Sequence, residues 1–125
     1  MSRIWLTLAD VIDIHALQIA RFGGSPGIRD AGQLEAALFR PRSGYYADLV
    51  EEAAALWESL SHNHPFIDGN KRTAFASMLI FLELNDWQVT APPLAVLDFL
   101  IPLYESNTFG LERLEPWLRQ NTRPL

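Results

Sequence analysis

The sequence predicts an all-α protein, with about six helices in a single domain over residues 1–125, arranged around a buried central helix at about residues 70–84. Three observations carry that expectation. Apolar residues recur with helical period in segments bounded by capping residues, glycine or proline. The stretch Asn70 to Leu84 is apolar on most faces, as in a helix enclosed by others. No repeat, charge block or Gly/Ser linker divides the 125 residues.

Taken in order, Thr7-Leu8-Ala9-Asp10 has the form of an N-cap with an acidic third residue, and the helix it opens runs to Phe22, where Gly23-Gly24 ends it. Gly23 to Ala31 reads as a loop, with Ser25-Pro26-Gly27 as turn chemistry. Asp30 caps a short helix through Leu34, Ala37 and Leu38 that stops at Pro41. Pro41 to Tyr46 is expected to be a mobile connector with two exposed aromatics, Tyr45 and Tyr46. Asp48 and Glu51 have capping-box spacing ahead of Leu49, Ala53, Leu56, Trp57 and Leu60, and Pro65 breaks the helix they begin. Beyond the central helix, Trp87 to Thr90 suits a short extended piece. Pro92-Pro93 opens a helix through Tyr104, with a kink expected at Pro102. Thr108 is the expected cap of a last helix through Leu111, Leu114, Trp117 and Leu118, shortened or bent by Pro116.

Composition narrows the function classes. Hydrophobic residues make up 49% and charged residues 20%, enough apolar surface for a real core. A net charge of −5 argues against a general nucleic-acid binder, whose footprint is basic. With no cysteine, disulfides and zinc–thiolate sites are excluded, and a reducing compartment is compatible. Met1 to Trp5 lacks a signal-peptide pattern, and the apolar runs are too short to span a bilayer, so a soluble cytoplasmic protein without membrane contact is expected.

The chemistry concentrates in His64-Pro65-Phe66-Ile67-Asp68-Gly69-Asn70-Lys71-Arg72-Thr73. Its second half lies where the central helix begins, and helix N-termini attract anions through free amides and the macrodipole. Asp68 reads either as a helix N-cap or as a Mg²⁺ ligand, since Mg²⁺ is held by one or two carboxylates plus phosphate oxygens. Gly69 permits close backbone approach to a ligand, and Asn70 offers an amide. Lys71 and Arg72 oppose the macrodipole in the first turn, a local conflict that a bound anion resolves. Arg72 suits bidentate contact with phosphate and Lys71 acts as a point charge. His64 is a candidate general base, because imidazole chemistry suits proton transfer near neutrality. Phe66 is the expected core anchor of the loop. A zinc site from His62, His64 and Asp68 lacks a fourth ligand and leaves Lys71-Arg72 unexplained. Gly23 to Gly27 is not a Walker A loop, lacking its Gly-Lys-Ser/Thr ending, but suits a flap beside the site, with Arg29 and Asp30 at its far end.

This decapeptide resembles the signature of the Fic/Doc superfamily, His-x-Phe-x-Asp/Glu-Gly-Asn-x-Arg, and in particular its Doc (death-on-curing) branch, where lysine precedes the arginine. His15, Arg21-Phe22-Gly23-Gly24, Gly27, Arg29-Asp30 and Leu34-Glu35-Ala36-Ala37-Leu38 resemble the N-terminal region of that branch. The resemblance spans roughly residues 4–90. It implies a single Fic domain and the toxin of a Phd–Doc-type toxin–antitoxin pair. It further implies a kinase that uses ATP and Mg²⁺ to phosphorylate elongation factor Tu, stopping translation and growth. Carried over by position, His64 would activate the target hydroxyl and Asp68 would bind Mg²⁺. Gly69 and Asn70 would help hold the phosphates, and Lys71 and Arg72 would neutralise them.

Fic members that transfer AMP usually have glycine where Lys71 stands and a second arginine where Phe75 stands, so both positions favour phosphorylation over adenylylation. Gly69 points the other way, being the Fic-type residue where the well-known Doc toxin has alanine. A catalytically silent binding module or co-regulator is the third alternative. The inhibitory string Ser/Thr-x-x-x-Glu-Gly/Asn is absent, since Thr108 to Glu112 has the spacing but Arg113 follows. A separate Phd-like antitoxin is therefore expected, a small DNA-binding protein whose tail folds on the toxin and provides its only route to nucleic acid.

Overall fold

In the first helix, α1 (Leu8–Phe22), the Thr7 hydroxyl accepts from the Asp10 amide at 3.1 Å while the Asp10 carboxylate accepts from the Thr7 amide at 2.8 Å. This reciprocal box satisfies two otherwise free donors. The computed structural model describes residues 2–125. At the far end Gly23, with φ +83°, donates to Ile19 O and turns the chain out of the helix.

Asp30 caps α2 (Ala31–Phe39) through the Gln33 amide. The chain does not loosen at Pro41, as expected, but tightens into a 3₁₀ turn (Arg40–Arg42) with Pro41 buried. Of the two tyrosines expected to be exposed, Tyr45 is, but Tyr46 is half-buried and its hydroxyl accepts from Arg40 Nε at 2.7 Å. Arg40 also reaches Glu58 and Ser59, so the connector is tied to the next helix. Asp48 caps that helix, α3 (Leu49–His62), through the Glu51 amide. The Glu51 carboxylate returns to the Ala47 amide, one residue short of a reciprocal box.

Pro65 acts from a distance. The residue before a proline is disfavoured in the right-handed helical region. His64 indeed adopts φ +48°, and α3 has already ended at His62. α4 runs Asn70–Leu84 as expected. It packs along α3, whose Ala53, Ala54 and Ala55 are fully buried. The buried centre is thus a helix pair, and α3 is the more enclosed of the two: α4 leaves Ile80 and Leu84 exposed and Phe75 and Leu79 half-buried.

The extended piece is β1 (Trp87–Val89), and its partner is β2 (Thr122–Pro124) at the C-terminal end, antiparallel, with Gln88 opposite Arg123. α5 (Pro93–Glu105) continues through Pro102, whose carbonyl is taken by the Ser106 amide and hydroxyl. α6 (Leu111–Asn121) corrects the assigned cap. Gly110 occupies the cap position, Thr108 is bonded to Ser106, and the Leu111 amide donates to Glu58 of α3. Trp57 of α3, with no exposure, touches Phe75, Phe99, Phe109 and Trp117, and so joins α3, α4, α5 and α6. No helix of the described residues is long and apolar enough to cross a membrane.

Candidate active site

The decapeptide crosses from α3 to α4 as a loop pinned on both sides. Gly24 to Asp30 runs antiparallel to it: the amides of Arg29 and Asp30 donate to Pro65 O, and the Ile67 amide donates to Gly27 O at 3.1 Å. Ile28 pairs with Phe66 as an isolated bridge. The glycine-rich segment is therefore a strap fastened to the motif. The Arg29 guanidinium donates to the carbonyls of His64 and Asn63, the open C-terminal end of α3, where a cation is favoured. Those bonds hold the left-handed backbone of His64 and keep Arg29 away from the cavity.

From the other side, buried His15 of α1 stacks on Phe66, with centroids 3.9 Å apart and planes 4° from parallel. Its Nε2 lies 2.8 Å from Asp68 O. A carbonyl only accepts, so Nε2 carries the proton. In the sequence His15 stands out only through the family resemblance; the signal for it is a histidine in register with the buried Val11 and Ile14 face. Phe66 is 1% exposed and is the anchor expected. Asn70 locks it in place: its Oδ1 accepts from Phe66 N and its Nδ2 donates to Phe66 O, both at 2.9 Å. The Asn70 side chain is thereby committed to the loop, leaving its backbone to face a ligand.

Asp68 is not the cap of α4. Gly69 is, in the left-handed conformation at φ +74°. The Asp68 carboxylate accepts from the Ser25 amide at 3.1 Å and the Gly69 amide at 2.8 Å, with its remaining lone pairs in solvent. These amide bonds, Ser25 first, hold its pKa below the ordinary 3.8, with smaller help from the charges of Arg72 and His15. The lowered value fixes the sign of the pH dependence: the strap contact is intact above 3.8 and lost only as pH falls through the lower, folded value. In an NMR titration the midpoint of the Ser25 amide shift should fall below 3.8; a midpoint at or above it would contradict the assignment.

Gly24, at φ +117°, explains how Ser25 comes so close. A Cβ there would lie 2.7 Å from Asp68 Oδ2. Gly24→Ala should therefore push the carboxylate out of place and destabilise the fold by roughly 1–3 kcal/mol, measurable by urea denaturation.

The first amide of α4 satisfied within the helix is Thr73, by Gly69 O at 3.0 Å. The amides before it are the free donors of the helix start. Arg72 donates to Gly23 O at 3.0 Å and lies over Phe22, 5.6 Å from its centroid. Lys71 Nζ lies 4.3 Å from the Tyr104 ring centroid. His64, Asp68, Gly69, Asn70, Lys71 and Arg72 line one open cavity of about 470 Å³ together with Ile67. All the expected site residues meet there. The His64 ring has no hydrogen bond among the described residues, and a second recess of about 220 Å³ lies on its other side, toward Tyr104 and Phe109. His62 is turned away, its Nε2 on Phe109 O.

For Mg²⁺ the donor set fits in one way. Among the described residues no three His, Asp or Glu side chains converge, so the protein offers a single exposed carboxylate with free lone pairs. Such a carboxylate would hold an ion only together with phosphate oxygens and water.

The site is thus the start of α4 in a helical domain, with free amides and two cations, beside a histidine whose ring makes no hydrogen bond among the described residues. The chain belongs to the Fic/DOC family, whose profile matches residues 5–82. It is 45% identical over 75 residues to Toxin Doc of Mycolicibacterium smegmatis, a match covering 56% of this chain and 58% of that protein. It is 41% identical over 88 residues to Protein kinase doc of Escherichia phage P1, covering 67% of this chain and 70% of that protein. The chain thus matches less than two thirds of the mycobacterial relative's length. These relatives are of the Doc branch.

Proposed function

We propose that this protein is the toxin of a toxin–antitoxin pair and acts as a protein kinase, moving the γ-phosphate of ATP to a serine or threonine hydroxyl of a target, with elongation factor Tu as the target. The observation that carries this reading is the pair of residues at the start of α4. Lys71 adds a second cation directly before Arg72 at the cavity, and position 75 holds a phenylalanine packed 5.4 Å from Trp57 instead of an arginine. A relative bearing the name Protein kinase doc supports the same chemistry.

The steps follow from the residues present. His64 accepts the proton of the acceptor hydroxyl as its oxygen bonds to the γ-phosphorus and the bond to the β-phosphate oxygen breaks, releasing ADP. Charge gathering on the phosphoryl oxygens is met by the helix-start amides, Lys71 and Arg72, all in place before the reaction. Asp68 would hold Mg²⁺, which supplies further neutralisation of the phosphates when bound. Elongation factor Tu and a Phd-like antitoxin are the partners this reading implies.

Adenylylation keeps one observation in its favour, Gly69, whose left-handed φ of +74° suits glycine. Incubation with a cell extract, Mg²⁺ and ATP labelled at the α- or γ-phosphate separates the readings. Label on protein from the γ position alone is the expected result. Transfer of α label means AMP transfer, and no label from either means a silent binding module.

A further inference from the structure

Lys71 stands where three hollows meet: the phosphate cavity, the recess beside His64, and an apolar groove between α4 and α5. A lysine ammonium on a four-carbon stem is mobile, so a site that uses it gains from a group that fixes it. Among the described residues no carboxylate pairs with Lys71; its close charged-group contact is the face of Tyr104, with Nζ 4.3 Å from the ring centroid. That distance is well inside the reach of a cation–π contact.

Tyr104 is itself held by its neighbours. Its ring stacks on Phe109, centroids 4.7 Å apart and planes 10° from parallel, and Phe109 in turn meets Trp57 edge-on at 5.7 Å. The Phe109 carbonyl is bonded to His62 Nε2 at 2.7 Å, and the Tyr104 hydroxyl lies 3.5 Å from Ser61 Oγ. Burial raises the phenol's pKa, so the ring stays uncharged at neutral pH. A column of rings thus runs from the core helix α3 to the one lysine of the candidate site.

We propose that Tyr104 is the positioning residue for Lys71: its π face holds the ammonium at the cavity edge before nucleotide arrives, leaving the outward N–H donors free for phosphate. This rests on the reading of Lys71 as a phosphate ligand, and the test separates the two. ATP binding in the presence of Mg²⁺ is measured by titration calorimetry for wild type, Tyr104→Phe, Tyr104→Leu, Lys71→Met and the Lys71→Met/Tyr104→Leu double variant. Tyr104→Leu should weaken binding by about 3–10-fold, the range a cation–π contact supplies. Tyr104→Phe, which keeps the π face, should bind within about 2-fold of wild type. In the Lys71→Met background Tyr104→Leu should have no further effect. An equal loss in both backgrounds, or a Tyr104→Phe loss matching Tyr104→Leu, overturns the proposal.

If Lys71→Met binds ATP like wild type, the phosphate role of Lys71 fails, and the proposal is decided by proton NMR of the free protein. There the ε-methylene signal of Lys71, the single lysine of the sequence, should lie upfield of the position of a solvated lysine side chain, remain so in Tyr104→Phe, and return to the ordinary position in Tyr104→Leu. An ordinary position in wild type overturns the contact itself. The wild-type and Tyr104→Phe spectra decide the matter even if the leucine variant does not fold.

Discussion

His64→Ala is expected to lower target phosphorylation by about 10²–10⁴-fold, the usual contribution of a positioned general base, and to abolish growth arrest on expression. Folding should be left almost intact. The His64 ring has no hydrogen bond among the described residues and the residue is exposed. What the structure uses is its backbone: the carbonyl accepts from Arg29, and φ is +48°. Alanine keeps that carbonyl and takes the same left-handed conformation at a cost of about 1 kcal/mol or less relative to histidine. Phosphorylation of target protein and the urea midpoint, measured on the same preparation, check both halves of the expectation. A variant that folded normally and remained fully toxic would remove the base from the mechanism.

The largest stability effect is expected at Trp57. Trp57→Ala should cost about 3–5 kcal/mol, enough to unfold a domain of ordinary stability at physiological temperature. The indole is fully buried and contacts rings from three other helices, so no single neighbour can move in to close the cavity. Trp57→Phe should be far milder, within about 1.5 kcal/mol. It loses volume, but it also removes the indole Nε1, a buried donor with no partner among the described residues. Urea denaturation of the two variants measures the contrast. Equal, small losses would mean that the four-helix junction does not depend on this ring.

What was legible in the sequence was local. Thr7, Asp30 and Asp48 cap their helices through amides three residues on, and Gly23 ends α1, because these bonds form within a single turn. The bounds of α4 were legible for the same reason, since composition changes abruptly at Asn70 and Leu84. The departures come from partners distant in sequence. The start of α6 is satisfied by Glu58, 53 residues away, so Thr108 was free to pair elsewhere. β2 has no alternation of its own and exists because β1 is there to pair with it. Tyr46 read as exposed because its partner Arg40 belongs to a turn whose tightness the sequence did not announce.

The candidate site divides in the same way. Which residues meet at the cavity followed from a contiguous motif at a helix start. How they are held did not: Asp68 is set by Ser25, 43 residues away, and the loop beneath it by His15, 53 residues away. Asn70 is the sharpest case. Its chemistry suggested a ligand contact, yet both ends of its amide serve Phe66 four residues before it.

The central claim, that this cavity transfers a phosphoryl group to a protein hydroxyl, is tested most directly by mass. Purified elongation factor Tu is incubated with the protein, ATP and Mg²⁺, and its intact mass is measured beside a His64→Ala control. The expected result is a gain of one phosphoryl group that is absent from the control. A gain of an adenylyl group, or a phosphoryl gain that persists in the control, would contradict it.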